Sequence, residues 1–215
     1  MNVRSPVYRF KSALQSLNGD GVYGLTLLGI AALLLLPEIN GDAARAALQY
    51  ERMAIGAGEW WRLITAHFVH INLEHTLLNI MGVVLMWAIF ARDLTPRQWL
   101  VVTIVVLLTI DAGLWFHDKQ VEWYVGASGA LHGFMAAGTY VHVRRGDLDG
   151  WILVVFIVLK LGYEQLYGVL PFVESGMPVV LNAHAYGALG GLIAAVCMNP
   201  GRRSVADGPG ADKSL

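Results

Sequence analysis

Six apolar runs, each close to the length of a bilayer span, constrain this chain more than any other feature: Gly21–Pro37, Leu73–Ala91, Trp99–Phe116, Ser128–Val143, Trp151–Val169 and Val179–Met198. A helix needs roughly 20 apolar residues to cross the hydrocarbon core, where its backbone must satisfy its own hydrogen bonds. The expected fold is therefore all-α, a polytopic membrane bundle of six transmembrane helices. The fourth run is short and rich in Gly and Ala, so hydropathy alone ranks it last. Composition agrees: 56% of the 215 residues are hydrophobic and 14% are charged, against about 25% charged in soluble domains. A formal net charge of -1 provides no basic field for nucleic acid. The one cysteine, Cys197, excludes an internal disulfide and a cysteine-rich metal cage.

Residues 1–20 read as a polar lead-in, 21–198 as the helical domain and 199–215 as a disordered tail. Ala44-Arg45-Ala46 resembles a signal-peptidase site, but it lies far past the first run, so that run is expected to stay as a span. Lys and Arg set the orientation. With the N-terminus inside, Arg45, Arg52, Arg62 and Lys119 fall in outer segments, Lys160 falls within a span, and the other ten of the 15 fall inside. Both termini are thus expected in the cytoplasm. The outer segment Glu38–Asn72 is expected to lie in the headgroup region, with a short helix over Ala43–Arg52 and Trp60, Trp61 and Arg62 as an interfacial anchor.

Polar residues inside a membrane are costly and default to functional candidates. In this topology the second, fourth and sixth helices begin on the outer side. Near those starts stand His75 and Asn79, then Ser128, then His184. Four polar groups from three helices share one depth. The Gly129/Gly133 and Gly187/Gly191 pairs permit close backbone approach beside Ser128 and His184. A serine hydroxyl needs a base to become a nucleophile, and His184 can supply it. No Asp or Glu stands at a neighbouring helix start, so the expectation is a Ser–His dyad. His75, Asn79 and the Ser128 backbone N–H are the available oxyanion donors. The pair His75/Asn79 alone is equally well explained as interhelical glue.

Trp61-Arg62, Thr65, His70, His75 and Asn79, then Gly126-Ala127-Ser128-Gly129, then Ala183-His184-Ala185-Tyr186-Gly187 with Gly191 resemble the rhomboid family of intramembrane serine proteases. The resemblance implies a rhomboid-like bundle with Ser128 as nucleophile, His184 as base and His75 and Asn79 at the oxyanion. It also implies membrane-anchored protein substrates, cut near the outer end of a transmembrane segment that arrives past the fifth helix. His70, His132, Gly126 and Tyr186 are expected to support this centre. The runs GEWWRLITAHFVH and GASGALHG most resemble rhombosortases, bacterial rhomboids, which implies the bacterial inner membrane and substrates with a C-terminal Gly-Gly, hydrophobic helix and basic tail. Two positions depart from the family. His132 stands where many members have tyrosine, placed to hydrogen-bond His184 or compete with it. Ala91, flanked by Arg92 and Asp93, stands where many have Glu, which puts the usual cytoplasmic anchoring in doubt.

Lys160 and Glu164 are four apart in the fifth helix. They read either as an ion pair reaching for the outer surface or as a pair lining the side where substrate enters. Asp111 reads as an interface residue of the outer leaflet. His67, His70 and His75 invite a metal reading, but no HExxH motif supports it, and neither metal nor cofactor is expected. A non-catalytic rhomboid-like binding protein would usually have lost Ser128 or His184. A small transporter would need charges along a through-path. The oligomeric state is left open.

Overall fold

The computed structural model describes residues 21–168 and 179–199. The expected lead-in, and all of the expected tail but Asn199, lie outside the described residues. Among the described residues, six long helices carry the fold: α1 (Gly21–Leu35), α2 (Leu73–Phe90), α3 (Pro96–Ala112), α4 (Ser128–Arg145), α5 (Leu148–Tyr167) and α6 (Leu181–Met198). Five are long and apolar enough to cross a membrane. The exception is α4, the run that hydropathy ranks last. It is the central helix, with Gly129, Ala130, Gly133, Ala136, Ala137 and Gly138 all buried. The chain is a multi-pass helical membrane protein.

Local chemistry sets the helix ends. The Asn72 side chain accepts from the His75 N–H at 2.9 Å and starts α2. Thr95 and Gln98 cap each other reciprocally with Pro96 at the first turn, starting α3. Gly146, at φ +79°, ends α4 in the left-handed conformation. A five-residue π-helical turn, Gly113–His117, carries α3 to within one residue of the expected end of the run.

Packing centres on α4 and α6. A Cβ on Gly187 would overlap the Gly129 carbonyl, and one on Gly191 the Gly133 carbonyl. The two backbones therefore touch, as the small-residue pairs predict. Val102, Val106 and Ile110, one turn apart on α3, are fully buried against this pair. Leu25, Leu28, Leu100, Leu108, Phe156, Leu159 and Leu189 point outward and exposed, which suits a lipid solvent.

The segment between α1 and α2 departs from its expected form. The short helix is Gly41–Leu48, followed by strand β1 (Tyr50–Glu51). This pairs antiparallel with β2 (Trp123–Tyr124), just before α4. Trp60 and Trp61 are exposed, as an interfacial anchor requires, but Arg62 is 6% exposed. Its guanidinium binds Glu59 at 2.6 Å and the Ala46 and Gln49 carbonyls at 2.9 Å, so it knits the loop together instead of anchoring it. Arg52 likewise binds the Val121, Trp115 and Asp118 carbonyls at 3.1 Å, tying the loop to the end of α3.

At the opposite end, Asp93 meets His142 Nε2 at 2.7 Å and also binds Arg145, while Asp149 takes His142 Nδ1 at 3.0 Å. The anchoring thrown into doubt by Ala91 is thus supplied by Asp93.

Candidate active site

The N-termini of α2, α4 and α6 and the C-termini of α3 and α5 meet at one end of the bundle. Ser128 opens α4. The turn before it is held from three sides. The Gly126 N–H donates to the Ala66 carbonyl at 2.9 Å, and the Tyr124 hydroxyl donates to the Gly126 carbonyl at 2.9 Å. The Ala127 N–H donates to His70 Nε2 at 3.4 Å. Gly126 has φ +111°, and a Cβ there would press on the His75 ring at 3.0 Å, so only glycine suits this position.

His184 lies one turn into α6 and is 6% exposed. Its Nε2 is 3.0 Å from Ser128 Oγ. Close contact of the α4 and α6 glycines is what lets so short a side chain reach the ring. His132, one turn into α4, does not compete for Ser128 Oγ. Its ring stacks on His184 with centroids 4.2 Å apart and planes at 17°. Its Nδ1 lies 2.7 Å from the Ser128 carbonyl and so carries the proton.

His75 packs against Gly126 and stands edge-on to His70, centroids 5.0 Å apart. Asn79, one turn on and buried, donates from Nδ2 to the His75 carbonyl at 2.9 Å, leaving a second N–H. His70 accepts from the Ala127 N–H and is therefore neutral. Burial first, and then the neighbouring His75, lower its pKa to about 3.

Glu164 forms the expected i,i+4 ion pair with Lys160, but it also takes a partner that neither sequence reading foresees. It neither reaches for the surface nor lines an open face: it is 4% exposed and its Oε2 lies 3.0 Å from His184 Nδ1. Lys160 Nζ donates to Glu164 Oε1 at 2.5 Å. A carboxylate does therefore stand beside the base, contrary to the expected dyad without one. Helix starts alone do not reveal it, because α5 runs the other way and brings its C-terminal end to this level.

Tyr186 faces away from the Ser128–His184 contact. Its hydroxyl donates to Asp118 Oδ2 at 3.0 Å, and its ring fills the space over Gly113. Asp118 also accepts from Asn182 at 2.9 and 3.0 Å. Burial raises the Asp118 pKa, but hydrogen bonds from Asn182, Tyr186, His117 and Gln120 outweigh it and lower the pKa overall. Asp118 thereby ties the start of α6 to the end of α3, a role with no signal in the sequence. Asp111 is buried at the end of α3, within 3.4 Å of His67 Nε2.

His132, Glu164 and His184 bring ligand-type atoms within 4.8 Å of one another. Metal binding asks imidazole lone pairs to converge at about 2.0–2.1 Å. Those lone pairs lie in the ring planes, which here are stacked and nearly parallel, so this arrangement does not fit an ion. An apolar cavity of about 360 Å³ beside α1, α2 and α3, lined in part by Tyr23, Met86, Trp87 and Phe134, has no histidine or carboxylate in its wall.

The Rhomboid domain family matches residues 57–200. The protein named "Putative rhomboid protease YdcA" of Bacillus subtilis is 28% identical over 152 residues, covering 70% of this chain and 74% of its own. Rhomboid protease GluP of the same organism is 25% identical over 191 residues, covering 84% of this chain but only 36% of GluP. The uncharacterized protein Rv1337 of Mycobacterium tuberculosis is 25% identical over 194 residues, covering 85% of this chain and 78% of its own.

Proposed function

The chain belongs to the rhomboid family, and on that premise we propose that it is an intramembrane serine protease with Ser128 as nucleophile and His184 as general base. The observation that carries the reading is the 3.0 Å contact between Ser128 Oγ and His184 Nε2 within a helical membrane bundle. Ser128 Oγ attacks the scissile carbonyl while its proton passes to His184 Nε2. The oxyanion is received by His75, Asn79 and the Ser128 N–H. His184 returns the proton to the leaving amine, and water then releases the acyl group by the same route in reverse. The rhomboid-protease names of YdcA and GluP support the reaction class.

The substrates are membrane-anchored proteins. The site end of the bundle faces outward, both termini are cytoplasmic, and the membrane is the bacterial inner membrane; the excess of Lys and Arg in the opposite segments supports this orientation. Residues 21–198 form the protease domain between two polar ends. Following the rhombosortase likeness of GEWWRLITAHFVH and GASGALHG, the substrate carries Gly-Gly before a C-terminal helix and basic tail. Glycine weakens helix by about 1 kcal/mol relative to alanine, which eases the unwinding that cleavage requires.

The test is coexpression with a reporter bearing such a C-terminal segment. Cleavage is expected with the wild type and lost in Ser128→Ala and His184→Ala. Cleavage by Ser128→Ala would overturn the mechanism. Equal cleavage after changing Gly-Gly to Leu-Leu would overturn the rhombosortase assignment alone.

A further inference from the structure

Glu164 uses its two oxygens on two different partners. Oε2 faces His184 Nδ1 at 3.0 Å and Oε1 holds Lys160 Nζ at 2.5 Å. An ionised carboxylate only accepts hydrogen bonds. His184 must then carry its proton on Nδ1, which leaves the Nε2 lone pair facing Ser128 Oγ, the tautomer a general base requires. Lys160 sits one turn earlier on the same helix. It balances the carboxylate charge and fixes which oxygen faces the imidazole. A buried ion pair brings little net stability of its own, and a pair serving only to hold α5 would have no need to touch the base.

We infer that Glu164 is a positioning residue that completes a Ser128–His184–Glu164 triad, with Lys160 clamping the carboxylate. This rests on Ser128 being the nucleophile. When the base takes the serine proton, the imidazolium gains a charge partner already in place, so no reorganisation is needed as charge develops. The pair thus acts on the chemical step and not on substrate capture.

The experiment measures phosphonylation of the purified full chain in detergent by a fluorophosphonate probe, separating kinact from KI. In this reaction the Ser128 O–P bond forms, fluoride leaves, and the serine proton passes to His184. In Glu164→Gln, Lys160 can only donate, so it holds the amide oxygen and turns the amide NH2 towards His184 Nδ1. That nitrogen must then accept, and the proton moves to Nε2, where it blocks proton uptake from Ser128. The expected result is a kinact lower by about 100- to 10,000-fold, as for a triad base in the wrong tautomer, with KI unchanged. Replacing Lys160 by Met in the same chain frees the amide to turn its oxygen to the Nδ1–H, and kinact should rise at least about tenfold above Glu164→Gln. The pair Lys160→Met/Glu164→Gln and Lys160→Met/Glu164→Leu keeps the test open if Glu164→Gln does not fold. Both lack the charges and only the first has an acceptor, so the first should react faster. A changed KI with unchanged kinact in Glu164→Gln, or equal rates for the two double variants, would overturn the triad. An unlabelled Ser128 in the wild type would instead overturn the protease reading on which the triad rests.

Discussion

His132 lies flat on His184, ring centroids 4.2 Å apart, while its Nδ1–H holds the carbonyl of Ser128, the residue that His184 faces. One side chain thus braces both partners of the candidate pair. A stacked aromatic contact is worth about 0.5–1.5 kcal/mol beyond its buried area. His132→Ala should therefore slow cleavage by roughly 2- to 10-fold from the stack alone, and further through the lost carbonyl contact. His132→Phe, which keeps the stack, should retain more activity than His132→Ala. Reporter cleavage under matched expression checks the order; equal rates would show that the stack has no part.

The contact between α4 and α6 leaves no volume at Gly187. Gly187→Ala should force the helices apart, costing about 1–3 kcal/mol by overpacking and opening the Ser128–His184 distance. Thermal unfolding in detergent and cleavage rate should both fall. Gly162→Ala on α5, where nothing lies within 4 Å of a new Cβ, is the control and should lower neither, since alanine favours helix over glycine by about 1 kcal/mol.

Asn79→Ala should reduce turnover by up to roughly 100- to 1,000-fold, the range for one lost oxyanion donor. His75→Ala should fall in the same range and also loosen the packing over Gly126. Single-turnover cleavage reads the effect; turnover equal to wild type in Asn79→Ala would remove it from the oxyanion site.

His70 sets a pH dependence of stability. Its folded pKa of about 3 lies below the ordinary 6.5, so between those values the unfolded chain binds the extra proton. Stability from this group is then complete above about pH 6.5 and declines as the pH falls towards 3. The melting temperature should drop between pH 7 and pH 4.5 by more in the wild type than in His70→Gln. Equal drops would show that His70 is not held neutral by its burial beside His75.

Much of the site is legible in the sequence because α2, α4 and α6 each place their polar residues near their own starts. Ser128, His184 and His75 could be placed by depth alone, and the glycines of α4 and α6 announced the close approach. Glu164 was visible only as an i,i+4 partner of Lys160, a spacing that usually means a solvated pair. Its role depends on the direction in which α5 runs and on which face meets α6. Asp118, Arg52 and the Tyr50–Tyr124 strand contact left no periodic trace, since each acts through tertiary contacts across more than 60 residues. Hydropathy undervalued α4 for a related reason: a helix enclosed by other helices needs small side chains for fit more than it needs apolarity for lipid.

The proposed function depends on activation of Ser128 by His184, across the 3.0 Å contact between them. The most direct measurement is mass spectrometry of the full chain after treatment with a fluorophosphonate in detergent. A single phosphonyl adduct is expected, mapped to Ser128, absent in Ser128→Ala and strongly slowed in His184→Ala. An active, reporter-cleaving protein that carries no adduct at Ser128 would contradict it.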